Sequence, residues 1–409
     1  MAEVRGIVRR YYAYYCTNAY GFYLPVSVLY LLEVHGFGLA QIGAIKAVFS
    51  FALVAAEIPT GYVGDRLGRR ASLALGNALS AVALTAYVFL DSPVEYMALN
   101  VVWAIGWAFR SGTGDAWLYE LLASHGEADE YARIRGRSST LLLVTSAVTA
   151  LAAGFLATVD WAVPFLANAA LSALGVPLLL TLPRVETCAD GSEAPCDDVF
   201  GVGDAVRTLR LQVGRPEVRW LVVYAALFAG LFGLTRAFEQ PAAAAVGVPL
   251  PAFGVLYACF KLVSATAAAT TGWLEDRLGV AGVFLLAAPV LGLVYASALV
   301  VPVLVVPVLF ANRTVNTVLQ PVRNQYLNDR LANVGRATVL SGASMVLSLA
   351  SGVAALTGGV VAEAVGPVQT LAFAGIAVAV VAGGLWIAVS PVRPLAGVSR
   401  GAGESATSD

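Results

Sequence analysis

Eight ionisable side chains lie inside long apolar stretches of this 409-residue chain: Lys46, Glu57, Arg110, Asp115, Arg236, Glu239, Lys261 and Arg313. Each is costly to hold away from water unless it is paired or faces a water-filled space, so each is a functional candidate. The chemistry they offer is non-covalent. Carboxylates can carry protons, cations can hold an anion, and opposite charges can pair between helices. Five cations face three carboxylates, and a cavity with that excess favours an anion. No metal-ligand cluster, phosphate-binding glycine loop or nucleophile motif accompanies them. The chain therefore reads as neither an enzyme nor a nucleotide-driven pump, with no cofactor, no metal and no nucleic-acid partner.

Elements that cross a lipid bilayer must position these charges. Hydrophobic residues make up 59% of the chain and charged residues 12%, far from the composition of a water-soluble domain. Twelve apolar segments are long enough to span a hydrocarbon core. They run at roughly 11–32, 41–61, 71–90, 96–118, 138–158, 161–183, 219–243, 252–273, 280–300, 302–323, 338–360 and 367–390. Outside them, Lys and Arg fall only at the amino terminus, in alternate connections and in the tail. The other connections (33–40, 91–95, 159–160, 244–251, near 301 and 361–366) hold none. The positive-inside rule then places both termini in the cytoplasm of a multi-pass plasma-membrane protein. In that orientation Lys261 and Arg313 lie near the bilayer centre, and Arg110 about 4–5 Å below it at helical rise. Lys46 and Arg236 fall in outer halves of their spans, and Glu57 and Asp115 in inner halves.

The expected organisation is an N-terminal six-helix bundle over 1–183, a cytoplasmic linker over 184–217, a C-terminal six-helix bundle over 218–392 and a disordered cytoplasmic tail over 393–409. The linker opens with a polar, acidic stretch and continues into a segment that can form a short helix at the membrane surface. A gapless internal repeat relates the two bundles: Leu39 to Arg70 aligns with Leu250 to Ala281 at a constant shift of 211 residues. Leu39/Leu250, Gly43/Gly254, Phe49/Phe260, Thr60/Thr271 and Gly61/Gly272 are identical. So is Asp65-Arg66-Leu67-Gly68/Asp276-Arg277-Leu278-Gly279. The copies differ in charge: Arg69-Arg70 becomes Val280-Ala281, Glu57 becomes Ala268 and Ser50 becomes Lys261.

GYVGDRLGRR, between the second and third spans, resembles the signature loop of the major facilitator superfamily. The match runs through Gly61, Asp65, Arg66, Gly68, Arg69 and Arg70, and its weaker copy at Gly272, Asp276, Arg277 and Gly279 holds the equivalent place in the second half. The resemblance implies an all-α integral membrane fold, twelve transmembrane helices in two pseudo-symmetric six-helix bundles, with alternating access to a central cavity. It also implies that the loop is a conformational latch favouring the outward-open state. Arg69 and Arg70 can pair with a carboxylate on a neighbouring helix end, such as Glu120. Arg110 with Gly114 partly matches a fourth-span element associated with proton coupling in antiporters of that superfamily, whereas the fifth span lacks their Gly-Pro element. EIPTG, RSGTGDAWLYELL and the EQP of the seventh span resemble a broad set of prokaryotic members.

Candidate substrate contacts are Tyr20, Tyr23, Arg110, Arg236, Lys261, Arg313 and Asn316, with Glu57, Asp115 and Glu239 as candidate proton carriers. Asn312, Arg313, Asn316 and Gln320 form a polar stripe at helical spacing, as on a helix that lines water. Arg236 and Glu239, three residues apart, can pair on one helix. Arg110 can pair with Glu57 or Asp115. The expected function is secondary active transport by a monomer that draws on a proton gradient to export a small amphipathic or anionic molecule. Uptake of an anionic metabolite and a non-transporting receptor or scaffold on the same fold are the competing readings. Topology is directly testable. A cysteine placed in residues 33–40 should react with an impermeant thiol reagent in intact cells, and reaction only after permeabilisation would reverse the orientation.

Overall fold

The computed structural model describes residues 2–184, 216–330 and 336–392; the expected linker helix and tail lie outside them. Among the described residues all regular structure is helical. The first half comprises α1 (Ala2–Cys16), α2 (Ser27–Glu33), α3 (Leu39–Leu67), α4 (Arg69–Ala86), α5 (Pro93–Arg110), α6 (Thr113–Ser124), α7 (Tyr131–Val159) and α8 (Ala162–Leu180). The second comprises α9 (Pro216–Ala245), α10 (Ala252–Val300), α11 (Val305–Arg330), α12 (Arg336–Val365) and α13 (Pro367–Val389). Eight helical segments are long and apolar enough to cross a membrane. One of them, α10, holds two crossings that meet at Gly279, where φ is 67°. The first crossing is α1 with α2, the third is α4 and the fourth is α5 with α6, which completes the twelve.

Both split crossings depart from the continuous helices expected at 11–32 and 96–118. In the first, residues 17–26 leave the helix. Thr17 turns its hydroxyl back to the Tyr14 carbonyl at 2.7 Å, a local bond that competes with the helical ladder. Pro25 then lacks the N–H that a helix would use. Gly21 passes α7 so closely that a methyl group there would overlap the Thr149 hydroxyl and the Ser146 carbonyl. In the fourth crossing Gly112 adopts the left-handed conformation, φ 71° and ψ −27°, which ends α5 and lets α6 restart in a new direction.

The halves meet along three lines: α3 with α12, α7 with α10, and α2 with α9. The first two are related by the internal repeat and explain its paired glycines. A side chain on Gly43 would strike the Ala355 carbonyl oxygen and Gly359 of α12, and one on Gly254 would strike the carbonyls of Ala150 and Leu151 of α7. Gly359 and Gly154 answer from the other side, against Leu39 and Leu250. Glycine allows backbones to touch where apolar side chains would hold them apart. These contacts lie at the face whose connections hold no arginine. Towards the arginine-rich face the equivalent glycines, Gly61 and Gly272, have open space around them, and Ile58, Tyr62 and Trp273 are 58%, 60% and 57% exposed. The molecule is closed at its arginine-free face and open at its arginine-rich face.

Gly43→Val or Gly254→Val should force the closed face apart, at a cost of about 1–3 kcal/mol as for overpacking elsewhere. The expected readout is faster labelling, from the arginine-free side, of a cysteine at cavity position Ser146. Unchanged labelling in both variants would show that these crossings do not hold the face shut.

Candidate functional site

A cavity of about 420 Å³ opens between the halves. It extends from Tyr257 and Lys261 of α10 at mid-depth, past the irregular residues 18–25 and Trp107 and Arg110 of α5, to Asp115 and Arg135 near the arginine-rich face. The breaks in the first and fourth crossings build its wall. Tyr20 leaves the helical path and presents its ring to the Arg110 guanidinium, 5.5 Å from ring centroid to Cζ, while Trp107 stacks on Tyr20 at 5.3 Å. Two buried polar atoms at this wall, the Tyr20 hydroxyl and Asn18 Oδ1, have no hydrogen-bond partner among the described residues.

Arg110 pairs with neither Glu57 nor Asp115. Its guanidinium donates to Ser80 Oγ at 3.3 Å. Asp115 instead forms an ion pair with Arg135, 20 residues further along and one helix away, because the turn at Gly112 points α6 away from Arg110. Glu57 is half-buried on α3 with no polar partner among the described residues. Lys261 reaches the cavity without a hydrogen bond or ion pair among the described residues.

The expected pair of Arg236 with Glu239 is also replaced. Both Glu239 oxygens accept from Arg313 Nη2 at 2.7 Å, and Oε1 also accepts a hydrogen bond from the Tyr257 hydroxyl. Glu239 is 3% exposed and Arg313 19%. Arg313 in turn lies over the Phe260 ring at 5.1 Å. Arg236 is exposed, and Arg236, Lys46 and Lys261 lie within electrostatic reach of Glu239. The Glu239–Arg313 pair thus has three further cations around it, from α3, α9 and α10. Of the polar stripe on α11, Asn316 and Gln320 have exposed surface, but Asn312 is buried and donates to the Tyr295 hydroxyl at 2.6 Å. Tyr23 packs inward on Trp103 and Phe165 and forms no part of the cavity wall.

At the arginine-rich face, Arg69 pairs with Glu120 at 3.3 Å. Arg70 takes a different partner, donating to the Leu182 carbonyl at 2.8 Å at the end of α8. Arg66 lies over Tyr62 and Arg277 over Trp273, equivalent pairs in the repeat. Gly68 and Gly279 both have positive φ, 81° and 67°, which accounts for the glycine that ends each copy of the DRLG block. Gln240 and Tyr257 carry contacts for which composition gives no signal. EQP marks the first only as a motif, and the repeat marks the second only as the position equivalent to Lys46.

A helical membrane protein of two repeated bundles, hinged around a charged central cavity open to one face, is a solute transporter of the alternating-access kind. The chain belongs to the major facilitator superfamily, whose family model matches residues 12–338. Among curated proteins it is similar to the uncharacterized MFS-type transporter YxaM of Bacillus subtilis (strain 168), with 22% identity over 243 residues, 59% of each chain. The chain thus spans about three-fifths of the length of that relative. Among solved structures, the nucleoside transporter NupG superposes with a TM-score of 0.75 at 15% identity, covering 94% of this chain and 97% of that one. A bacterial homolog of the human lysosomal transporter Spinster, in an inward-facing and unoccupied conformation, gives 0.73 at 15% identity over 94% and 96%. A D-xylose-proton symporter gives 0.64 at 15% identity over 92% and 95%.

Removing one member of a buried ion pair costs about 3–5 kcal/mol, whereas neutralising both costs much less. Arg313→Met should therefore lower the melting temperature in detergent more than the double change Glu239→Gln with Arg313→Met. A double variant less stable than the single one would show that the pair is not the central stabilising contact at this depth.

Proposed function

We propose that this transporter carries a small organic anion together with a proton into the cell, with its arginine-rich face in the cytoplasm. The observation that carries this reading is the charge balance around Glu239: Arg313 pairs with it and three more cations lie within its electrostatic reach, and Lys261 and Arg110 meet the cavity without a carboxylate of their own. Such a surface attracts an anion and fixes its position by charge-assisted hydrogen bonds. The Tyr20–Trp107 wall offers an apolar surface to the rest of the molecule, and the Tyr20 hydroxyl and Asn18 Oδ1 offer polar contacts.

The sign of the coupling decides direction. A substrate anion and the Glu239 carboxylate compete for the same cations. Like charges repel, so a bound anion and an ionised Glu239 disfavour one another, and a neutral Glu239 frees Arg313 for the anion. Anion and proton bind together rather than in exchange, and an inward proton gradient then drives uptake. This favours uptake over the export expected from the sequence. Glu57 and Asp115 contribute less, since Asp115 is held by Arg135 near the cavity mouth.

The test is flux into proteoliposomes, with radiolabelled monocarboxylates, dicarboxylates and aromatic acids chosen by a thermal-shift screen. An inward proton gradient should accelerate accumulation. Lys261→Met should weaken binding by about 1.5–3 kcal/mol, roughly 10- to 100-fold, with unchanged melting of the free protein. Glu239→Gln should abolish the response to the gradient and leave anion exchange intact. Accumulation that ignores the gradient, or efflux driven by it, would overturn the coupling.

A further inference from the structure

We infer that Gln240 is the clasp that holds the arginine-free face shut, and that Tyr257 connects it to the charge of Glu239. The inference rests on the transport reading only in giving Glu239 a changing charge.

Gln240 is 2% exposed and belongs to the second half, yet three of its four hydrogen bonds reach the first. Its Oε1 accepts the Val28 N–H at 2.8 Å and the Leu29 N–H at 3.2 Å. Its Nε2 donates to the Leu24 carbonyl at 2.7 Å and to the Tyr257 hydroxyl at 2.9 Å. A primary amide has two donors and two acceptor positions, and all four are used. Orientation follows from the partners: backbone N–H groups can only donate and a carbonyl can only accept, so the flipped amide would oppose like with like.

These bonds matter because of where they fall. Residues 17–26 are irregular, and Val26, which precedes α2, makes no side-chain cap. The first amides of any helix lack partners within it. Val28 and Leu29 are buried, out of reach of water and lipid, and an unsatisfied buried amide is costly. Gln240 supplies the missing acceptor from the opposite half. When the arginine-free face parts, water entering the cleft takes over, so the clasp is needed only while that face is closed.

The link to the ion pair is one residue long. Tyr257 gives its single hydroxyl proton to Glu239 Oε1 and accepts from Gln240 with a lone pair. A charged carboxylate fixes that proton and keeps the lone pair aimed at the amide, since bonds to an ionised acceptor are about twice as strong as neutral ones. A neutral Glu239, or one drawn aside as its cations turn to a substrate anion, releases the hydroxyl and loosens the clasp. The charged groups around Glu239 are Arg236 on its own helix, Lys46 on α3, Lys261 on α10 and Arg313 on α11.

The experiment measures which side of the membrane reaches the cavity and needs no substrate. A single cysteine replaces Ser146, which lines the cavity, in the full chain with Cys16, Cys188, Cys196 and Cys259 changed to serine. An impermeant maleimide is applied to right-side-out and inside-out vesicles. Gln240→Leu should raise labelling from the arginine-free side about tenfold, since hydrogen bonds between the halves are lost and water replaces only part of them. Tyr257→Phe and Glu239→Gln should raise it less, and neither should add to Gln240→Leu. Unchanged labelling in Gln240→Leu overturns the clasp, and a full additive increase from Glu239→Gln overturns the link through Tyr257. If Gln240→Leu does not reach the membrane, Gln240→Asn is measured instead, since it keeps the amide one methylene short of its partners. Should none of the acids be transported while the labelling changes still occur, the functional reading fails and the clasp stands.

Discussion

A carboxylate buried within a membrane span cannot be left alone, and the arrangement of the second half follows from how Glu239 is satisfied. Arg313 must come from α11, the Tyr257 hydroxyl from α10, and both must converge on α9. The desolvation cost of the pair is offset only while the geometry is held, so these three helices are registered against one another by charge as well as by packing. Three further cations, Lys46, Arg236 and Lys261, lie within electrostatic reach of the pair.

The internal repeat divides the labour in an unexpected way. Symmetry is kept where the halves touch and where the chain turns: Gly43 with Gly254 at the crossings, Gly68 with Gly279 at the positive-φ bends. It is abandoned where charge is needed. Glu57 has Ala268 as its counterpart, Lys261 has Ser50, and Lys46 has Tyr257. The scaffold of two equivalent bundles therefore carries a chemically one-sided centre. The first half contributes an aromatic wall with Arg110, and the second contributes Glu239 and three of the four cations around it.

Fold, crossing count and repeat were legible in the sequence because each rests on a periodic or compositional signal tens of residues long. The pairing of charges was not. Arg236 and Glu239 stand at the correct helical spacing, but spacing does not reveal that Arg313, 74 residues from Glu239, offers a shorter and better directed contact. Arg110 was separated from Asp115 by a single left-handed glycine, Gly112, whose effect is to redirect a helix that reads as continuous. Arg69 found Glu120 because both lie at helix ends on one face, where proximity follows from topology. Gln240 was the least legible of all. Its partners are backbone groups of another half, and a glutamine beside a proline carries no hint of them.

Val28, Leu29 and Leu24 are held by Gln240 through their main chain alone. No side chain on the first crossing has to match the glutamine, so that stretch can drift in sequence without breaking the join, provided its path stays irregular. A contact of this kind leaves no pair of residues that must change together. Comparisons that look for such paired changes between the halves would miss it, although three hydrogen bonds join the halves there.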